Sequence, residues 1–241
     1  MITVKFNRLN ILPGERILDM GCGSGRHVGE ASRFKGVTVI GADINFKDLI
    51  EARNRLNFIK NCGEHGGGER GLGAADIMSL PFENESFHHV ICSEVMEHIK
   101  DDSRAARELV RVLKPGGNLV VSVPRFLPEK ICWILSKAYY NANGGHVRIY
   151  KRETIAALFE NQGLCPLGTH FAHSLHTPYW WLKCLVGPGR KDSRPVNLYH
   201  RLLTWDIMEK PKITRMLDAL LNPILGKSLV LYFKKGETPA P

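Results

Sequence analysis

"RILDMGCGSGRH", residues 16–27, runs from an apolar stretch into a turn with three glycines and on toward a helix. A strand that breaks into glycine and reopens as a helix usually lets backbone approach a ligand, because glycine reaches backbone angles closed to other residues and brings no Cβ. The surrounding 241 residues, 44% hydrophobic and 24% charged, suffice for one well-cored α/β domain with appendages. Six cysteines (22, 62, 92, 132, 165, 184) form no C-x-x-C pair and no secretory framework. The first twenty residues lack a basic start followed by a long apolar run. Both observations point to a reducing, cytoplasmic compartment. No apolar run approaches the roughly 20 residues that cross a bilayer, so membrane contact is expected to be peripheral at most. The formal charge of +9 favours an anionic partner.

Outward from the glycine turn, short β-branched runs alternate with amphipathic helical patterns. That alternation predicts a Rossmann-like, mostly parallel α/β sheet of seven strands with helices on both faces, plus a helical cap insert. Residues 16–21 and 36–44 read as the first two strands, followed by helices at 24–34 and 45–58. "NCGEHGGGERG" (61–71) is rich enough in glycine to be a surface loop. The strand "FHHVICS" (87–93) precedes helical stretches at 94–100 and 103–113, a helix stop at "LKPGG" (113–117) and a strand at 118–124. A helix is expected at 126–140, with Leu127, Ile131, Ile134 and Ala138 on one stripe and Phe126, Trp133 and Tyr140 on a neighbouring one. A helix at 151–162 and a strand at 164–174 resume the core, and the last strand is 227–235. Residues 175–226 are too many for a bare connection. They open at "HTPYWWLKC", with Thr177 as cap and Pro178 in the first turn, and close at "KITRMLDALLNP", whose Ile213, Met216, Leu217, Leu220 and Leu221 keep helical spacing. The chain thus reads as a single domain, 1–241, with a core of 10–125, 144–174 and 227–236 and cap elements 126–143 and 175–226.

The spacing of Gly21, Gly23 and Gly25 departs from the dinucleotide pattern G-x-G-x-x-G, because Arg26 stands where its third glycine belongs. Asp19, just ahead of the turn, would repel a pyrophosphate and suits a ligand with a cationic amino group. Asp43 ends the second strand 18 residues after Gly25, where an acidic side chain accepts hydrogen bonds from ribose hydroxyls. A nucleoside with a cationic amino-acid tail is S-adenosylmethionine.

"ILDMGCGSG", "IGADI", "AADIMSLPFENESFHHVICSEVMEHI" and "RVLKPGGNLVVSVP" together resemble, in order and spacing over residues 16–124, the motifs of class I S-adenosylmethionine-dependent methyltransferases of the methyltransferase type 11 and ubiquinone-pathway groups. The resemblance implies that Gly21, Cys22, Gly23 and Gly25 pack backbone against the methionine moiety and that Asp19 reaches its amino group. It places Asp43 and Ile44 at the ribose, Asp76 and Ile77 at the adenine, and Cys92 and Ser93 near the sulfonium. Any one of these has a blander reading, since a glycine turn serves simple strand-to-helix packing about as often. Asp76 alone suits a helix cap and Asp43 alone a turn. That family usually covers the cofactor with a helix ahead of the first strand, whereas only "MITVKFNRLNILPGE" precedes it here. Cover is therefore expected from 126–140 and 175–226.

Methyl transfer from a sulfonium needs alignment and exclusion of water, and a base only where the acceptor carries a proton that must leave. His98, His146 and Glu97 are the candidate catalytic residues. Glu94, Glu97 and His98 fall at i, i+3 and i+4 of a helix expected to start after Ser93, and the pattern resembles metal-dependent O-methyltransferases, in which a later histidine, here His146, completes the site. The competing reading is that acidic residues favour a helix's first turn for the dipole alone. A divalent metal on Glu94, Glu97, His98 and His146 is the lesser of the two. His170, His173 and His176 form a second histidine run, but a strand sends neighbours to opposite faces, which favours pocket lining or plain packing there.

The insert 175–226 holds eight Lys/Arg against four acids, interleaved with Trp180, Trp181 and Trp205. A solvated basic rim explains that composition, and so does a lid over a small apolar or amphipathic acceptor drawn from a membrane surface. O-methylation of such an acceptor is the favoured expectation. RNA methylation ranks lower, since the basic residues are spaced through helices and no RNA-binding module is visible. A non-catalytic, cofactor-binding partner protein is the third reading, and the intact glycine motif argues against it.

Overall fold

Arg16–Met20 (β1) is central to the sheet because its side chains are buried on both faces, with Ile17 and Leu18 fully enclosed. The computed structural model describes residues 2–142 and 144–237. Its other strands are Thr38–Asp43 (β2), Arg70–Ala74 (β3), Phe87–Ser93 (β4), Leu113–Pro124 (β5), Leu164–Ala172 (β6) and Ser228–Lys235 (β7). They form one sheet in the order β3-β2-β1-β4-β5-β7-β6. All neighbours pair in parallel except β7, which runs antiparallel to both β5 and β6. The expected seven-stranded, mostly parallel sheet is therefore present. Chain order reverses between β1 and β4, and at such a switch point the loops beyond the carboxyl ends of the strands splay apart and leave a crevice.

Two apolar layers sandwich the sheet. Helices Arg26–Ala31 (α1) and Phe46–Asn61 (α2) bring Val28, Leu49 and Leu56 onto one face, over Ile17, Val39 and Ile91. Asp102–Val112 (α3) and Arg152–Glu160 (α6) bring Leu109, Ile155 and Phe159 onto the other. The segments expected to form a cap fold as Phe126–Leu135 (α4), Lys137–Tyr140 (α5), His176–Val186 (α7), Arg194–Glu209 (α8) and Lys212–Leu225 (α9). A small cluster of Tyr179, Val196 and Leu203 ties α7 to α8.

Several expectations fail for physical reasons. The stretch 61–71 is not all loop: β3 starts at Arg70 and survives its glycines through parallel pairing with β2 at the sheet edge. "LKPGG" joins β5 instead of merely ending a helix. Residues 94–100 are not an α-helix. Glu94 has φ +57°, which a helix cannot accommodate, and only Met96–His98 close a 3₁₀ turn. The helix over 126–140 breaks at Ser136, whose side chain accepts a hydrogen bond from Tyr139 N–H and so caps α5. Its supposed core stripe faces out, with Leu127 58% and Ile134 72% exposed. Thr177 is not the cap of α7, which begins at His176; its hydroxyl donates to the Leu225 carbonyl.

Candidate functional site

The three glycines of the turn do different work. Gly21 and Gly25 both have φ +74°, and a Cβ on them would stand 2.1 Å from Val95 Cγ2 and 2.8 Å from Ala52 Cβ. They are required by packing as well as conformation. Gly23 has φ +49° and nothing within 4 Å of its would-be Cβ, so its missing side chain leaves a cradle open. That cradle belongs to a cavity of about 790 Å³ at the switch point, within the usual range for small-molecule sites.

Met20, Gly21, Cys22 and Gly23 from the turn line the cavity, as do Asp43, Ile44, Asp76, Ile77 and Ser93. The Asp43 carboxylate accepts hydrogen bonds from Gly23 N–H and Asn45 N–H, both at 2.8 Å. It thereby holds the glycine turn against the end of β2. Asp76 accepts from Met78 N–H at 2.8 Å, a local turn that fixes its carboxyl at the wall. Asp19 lies behind the turn, 1% exposed; one carboxyl oxygen accepts from Val28 N–H at 3.2 Å and the other has no partner. Burial raises its pKa to about 7 against the opposing pull of the Val28 N–H, with the Asp43 charge adding to the rise. Gly25 and Cys92 do not line the cavity: Gly25 packs on α2, and Cys92 is fully buried in the core beneath the sheet.

His98 also reaches the cavity wall, with Gly144 and Trp180. Behind it, Glu97, His98 and His146 bring donor atoms within 4.8 Å of one another. Glu97 Oε1 is 3.9 Å from His98 Nε2 and 4.0 Å from His146 Nε2. Glu97 is 1% exposed and neither carboxyl oxygen has a hydrogen-bond partner. Burial, reinforced by the Glu94 charge, pushes its pKa well above the carboxylate range. Glu94 itself stands apart, because its positive φ turns the side chain to accept from Ser122 Oγ at 3.0 Å. Glu94, which helical spacing had joined to Glu97 and His98, is thus removed from the group, and His146, expected from the resemblance, stands with the other two.

The outer nitrogens of both imidazoles are held. His98 Nδ1 lies 3.2 Å from the Gly145 carbonyl, and His146 Nδ1 lies 2.7 Å from Glu129 Oε1. Glu129, 2% exposed, also accepts from Tyr139 Oη at 3.0 Å and sits 3.9 Å from Lys227 Nζ. Burial opposes its charge, but the His146 hydrogen bond and the Lys227 ammonium outweigh that and leave its pKa lowered. Sequence reasoning missed Glu129, Tyr139 and Lys227. The one available signal was an acidic residue on the otherwise apolar α4, which the helix dipole explains equally well.

Cover comes from fewer groups than expected. Of Trp133, Trp180 and Trp181, only Trp180 lines the cavity; Trp181 donates to the Pro128 carbonyl and Trp133 packs on Tyr140. The N-terminal segment contributes Thr3, which His27, His170 and His173 all contact. His176 opens α7, so the histidine run 170–176 is used in packing and in lining through His173. In "FHHV", His88 accepts from Arg16 N–H and His89 pairs with Glu15 at 2.8 Å.

Residues 18–121 match the family model of a methyltransferase domain. Methyltransferase GfsG of Streptomyces halstedii is 35% identical over 118 residues, 48% of this chain and 40% of that protein. An O-methyltransferase of Pyrenophora dematioidea is 30% identical over 116 residues, 48% of this chain and 42% of that one. The match thus spans less than half the length of these curated relatives. Among solved structures, a geranyl diphosphate methyltransferase in complex with S-adenosylmethionine shares the fold at a TM-score of 0.61 with 14% identity, covering 95% of this chain and 82% of that one.

Proposed function

Since residues 18–121 are a methyltransferase domain of the class I S-adenosylmethionine-dependent family, we propose that the chain transfers a methyl group to an oxygen of a small apolar or amphipathic acceptor. The observation that carries this reading is one cavity shared by the glycine turn with Asp43 and by His98 with Trp180. S-adenosylmethionine, when bound, supplies an electrophilic methyl on a sulfonium that leaves without acid assistance. The residues fit it. The partnerless Asp19 oxygen is an acceptor awaiting a cation, directly or through water, and Asp43 stands ready for two ribose hydroxyls. Gly21 and Gly25 hold the shape of the turn while Gly23 keeps the floor clear, with Cys22 beside it. Ile44 flanks the ribose, Asp76 and Ile77 take the adenine, and Ser93, just after the core residue Cys92, borders the reacting centre.

The oxygen as accepting atom is supported by the two histidines and by the name of the Pyrenophora relative. With its Nδ1 proton directed to the Gly145 carbonyl, His98 presents Nε2 to take the hydroxyl proton. His146, oriented by Glu129, stands next to it in T-shaped contact with a ring separation of 4.9 Å. Trp180 and the cap exclude water. In this reading the core (10–125, 144–174, 227–236) binds the cofactor, and the cap (126–143, 175–226) shapes the acceptor side.

A second reading is favoured by the convergence of Glu97, His98 and His146. Both imidazoles have their outer nitrogens held, one by a carboxylate and one by a backbone carbonyl, as metal-ligating histidines commonly do. A divalent ion held by these three would lower the pKa of an acceptor hydroxyl and replace the base. The test is transfer of labelled methyl to a panel of phenols, quinols, lipids and RNA, each with and without a chelator. Transfer to a phenol or quinol that survives the chelator supports the base, and transfer abolished by it supports the metal. Transfer to RNA alone, or none with cofactor bound, replaces the proposal.

A further inference from the structure

Helix α9 is amphipathic in the inverted sense. Its inward side is polar: Asp218 accepts from Ser174 Oγ at 2.8 Å and from Leu175 N–H, and Asn222 accepts from Ser174 N–H at 3.0 Å. The Arg125 guanidinium adds a hydrogen bond to the Ile224 carbonyl at 2.9 Å. Thr214 is the helix's one buried residue among those described. The outward side carries Ile213, Met216, Leu217, Leu220 and Ile224, which are 41–72% exposed. At 100° per residue these five fall within an arc of about 100°, a continuous stripe over the whole helix. Helix α8 shares the outward apolar stripe but not the polar inner side. It buries Val196 and Leu203 and leaves Leu198, Leu202, Trp205 and Met208 46–73% exposed.

The charge beside these stripes is predominantly positive, with Glu209 at the end of α8 the one exposed acid that makes no ion pair among the described residues. Lys191, Arg194, Arg201, Lys210 and Lys212 make no ion pair among the described residues. The nearby acid Asp206 is already paired with Arg215 at 2.7 Å. A polar face fastened to the protein, an apolar face turned outward and unpaired cations along its edges are what a helix lying in a bilayer interface requires. A second copy of the chain would bring the same surplus of positive charge against itself.

We propose that α9, with the outward stripe of α8, docks the protein on a membrane surface that carries anionic headgroups. The surface stands independently of the acceptor and of the metal. The outward residues belong to neither the cavity wall nor the Glu97 cluster, so their substitution should leave cofactor binding intact.

The test is flotation with two vesicle types, phosphatidylcholine alone and phosphatidylcholine with about one-third phosphatidylglycerol. The parent should partition to the anionic vesicles at least about tenfold more strongly, and about 0.5 M salt should weaken that binding severalfold. A Leu220→Glu/Ile224→Glu variant should lose about tenfold or more while S-adenosylhomocysteine affinity and thermal melting stay as in the parent. No partition to the anionic vesicles, or equal partition of variant and parent, overturns the proposal. So does a dimer by light scattering that Leu220→Glu dissociates, since that outcome assigns the face to a second copy.

Discussion

Replacing Asp43 by alanine removes two things at once. The carboxylate holds Gly23 N–H and Asn45 N–H at 2.8 Å each, and it faces the cavity where the ribose is proposed to bind. Asn45 is exposed, so water can replace its acceptor, but the Gly23 N–H is partly enclosed and loses a charge-assisted hydrogen bond worth about 1.5–3 kcal/mol. Loss of the ribose contacts adds about 1–3 kcal/mol to the binding deficit. Part of the first cost falls on the free protein, so the affinity should drop by about 2–4 kcal/mol, roughly 30- to 1,000-fold. Asp43→Asn keeps one acceptor oxygen but sets an NH₂ where the other stood, and should fall between alanine and the parent. Calorimetric titration with S-adenosylhomocysteine, paired with thermal melts, separates binding from folding. Parent-like affinity in a folded Asp43→Ala protein would refute both the ribose assignment and the role of Asp43 in shaping the turn.

Gly21→Ala should destabilise the fold by about 2 kcal/mol or more, since its Cβ meets Val95 at 2.1 Å. Gly23→Ala should cost only about 1 kcal/mol in melting experiments yet lose cofactor affinity, because its Cβ enters open cavity. Glu129→Gln should lower turnover about 10- to 100-fold with cofactor affinity unchanged, and altered pH dependence would mark it as positioning His146 and not merely packing. Burial lowers the His27 pKa from 6.5 to about 3, and its Nε2 accepts the Thr3 N–H only when neutral. Its stabilising contribution is therefore full above pH 6.5 and lost as pH falls, by roughly 3 kcal/mol at about pH 4.5. Urea melts at both pH values should show a His27→Gln variant losing correspondingly less.

The crevice was legible because its walls are local. Gly21, Gly23, Asp43 and Asp76 sit at or just beyond strand ends, where chain direction and spacing alone place them around it, with Asp19 and Gly25 packed behind the turn. What failed had causes that no short window contains. Five residues of low apolar content, "RGLGA", become β3 because β2 offers an unpaired edge. Helical spacing identified α9 but not its orientation, since period reveals a stripe and not which side of the stripe meets the protein. Grouping Glu94 with Glu97 assumed a helix that the positive φ at Glu94 forbids, and that one backbone angle removes a carboxylate from the cluster.

The cluster itself is assembled from pieces that only the fold unites. Glu97 and His98 follow β4, whereas His146 follows the cap helices, and its orienting partner Glu129 lies on α4 near Lys227 at the start of β7. The ring of His146 is therefore set by the position of the cap, while that of His98 also reaches across to the Gly145 carbonyl. Movement of α4 and α5 away from the core would take Glu129 and Tyr139 with it and release His146 from its hydrogen bond. Because Glu97 is buried without a hydrogen-bond partner, its carboxyl must either hold its proton or find a cation. Either state is sensitive to where the two imidazoles stand. Displacement of α4 would therefore disturb the cluster through Glu129, whose hydrogen bond at 2.7 Å sets the ring of His146 beside Glu97.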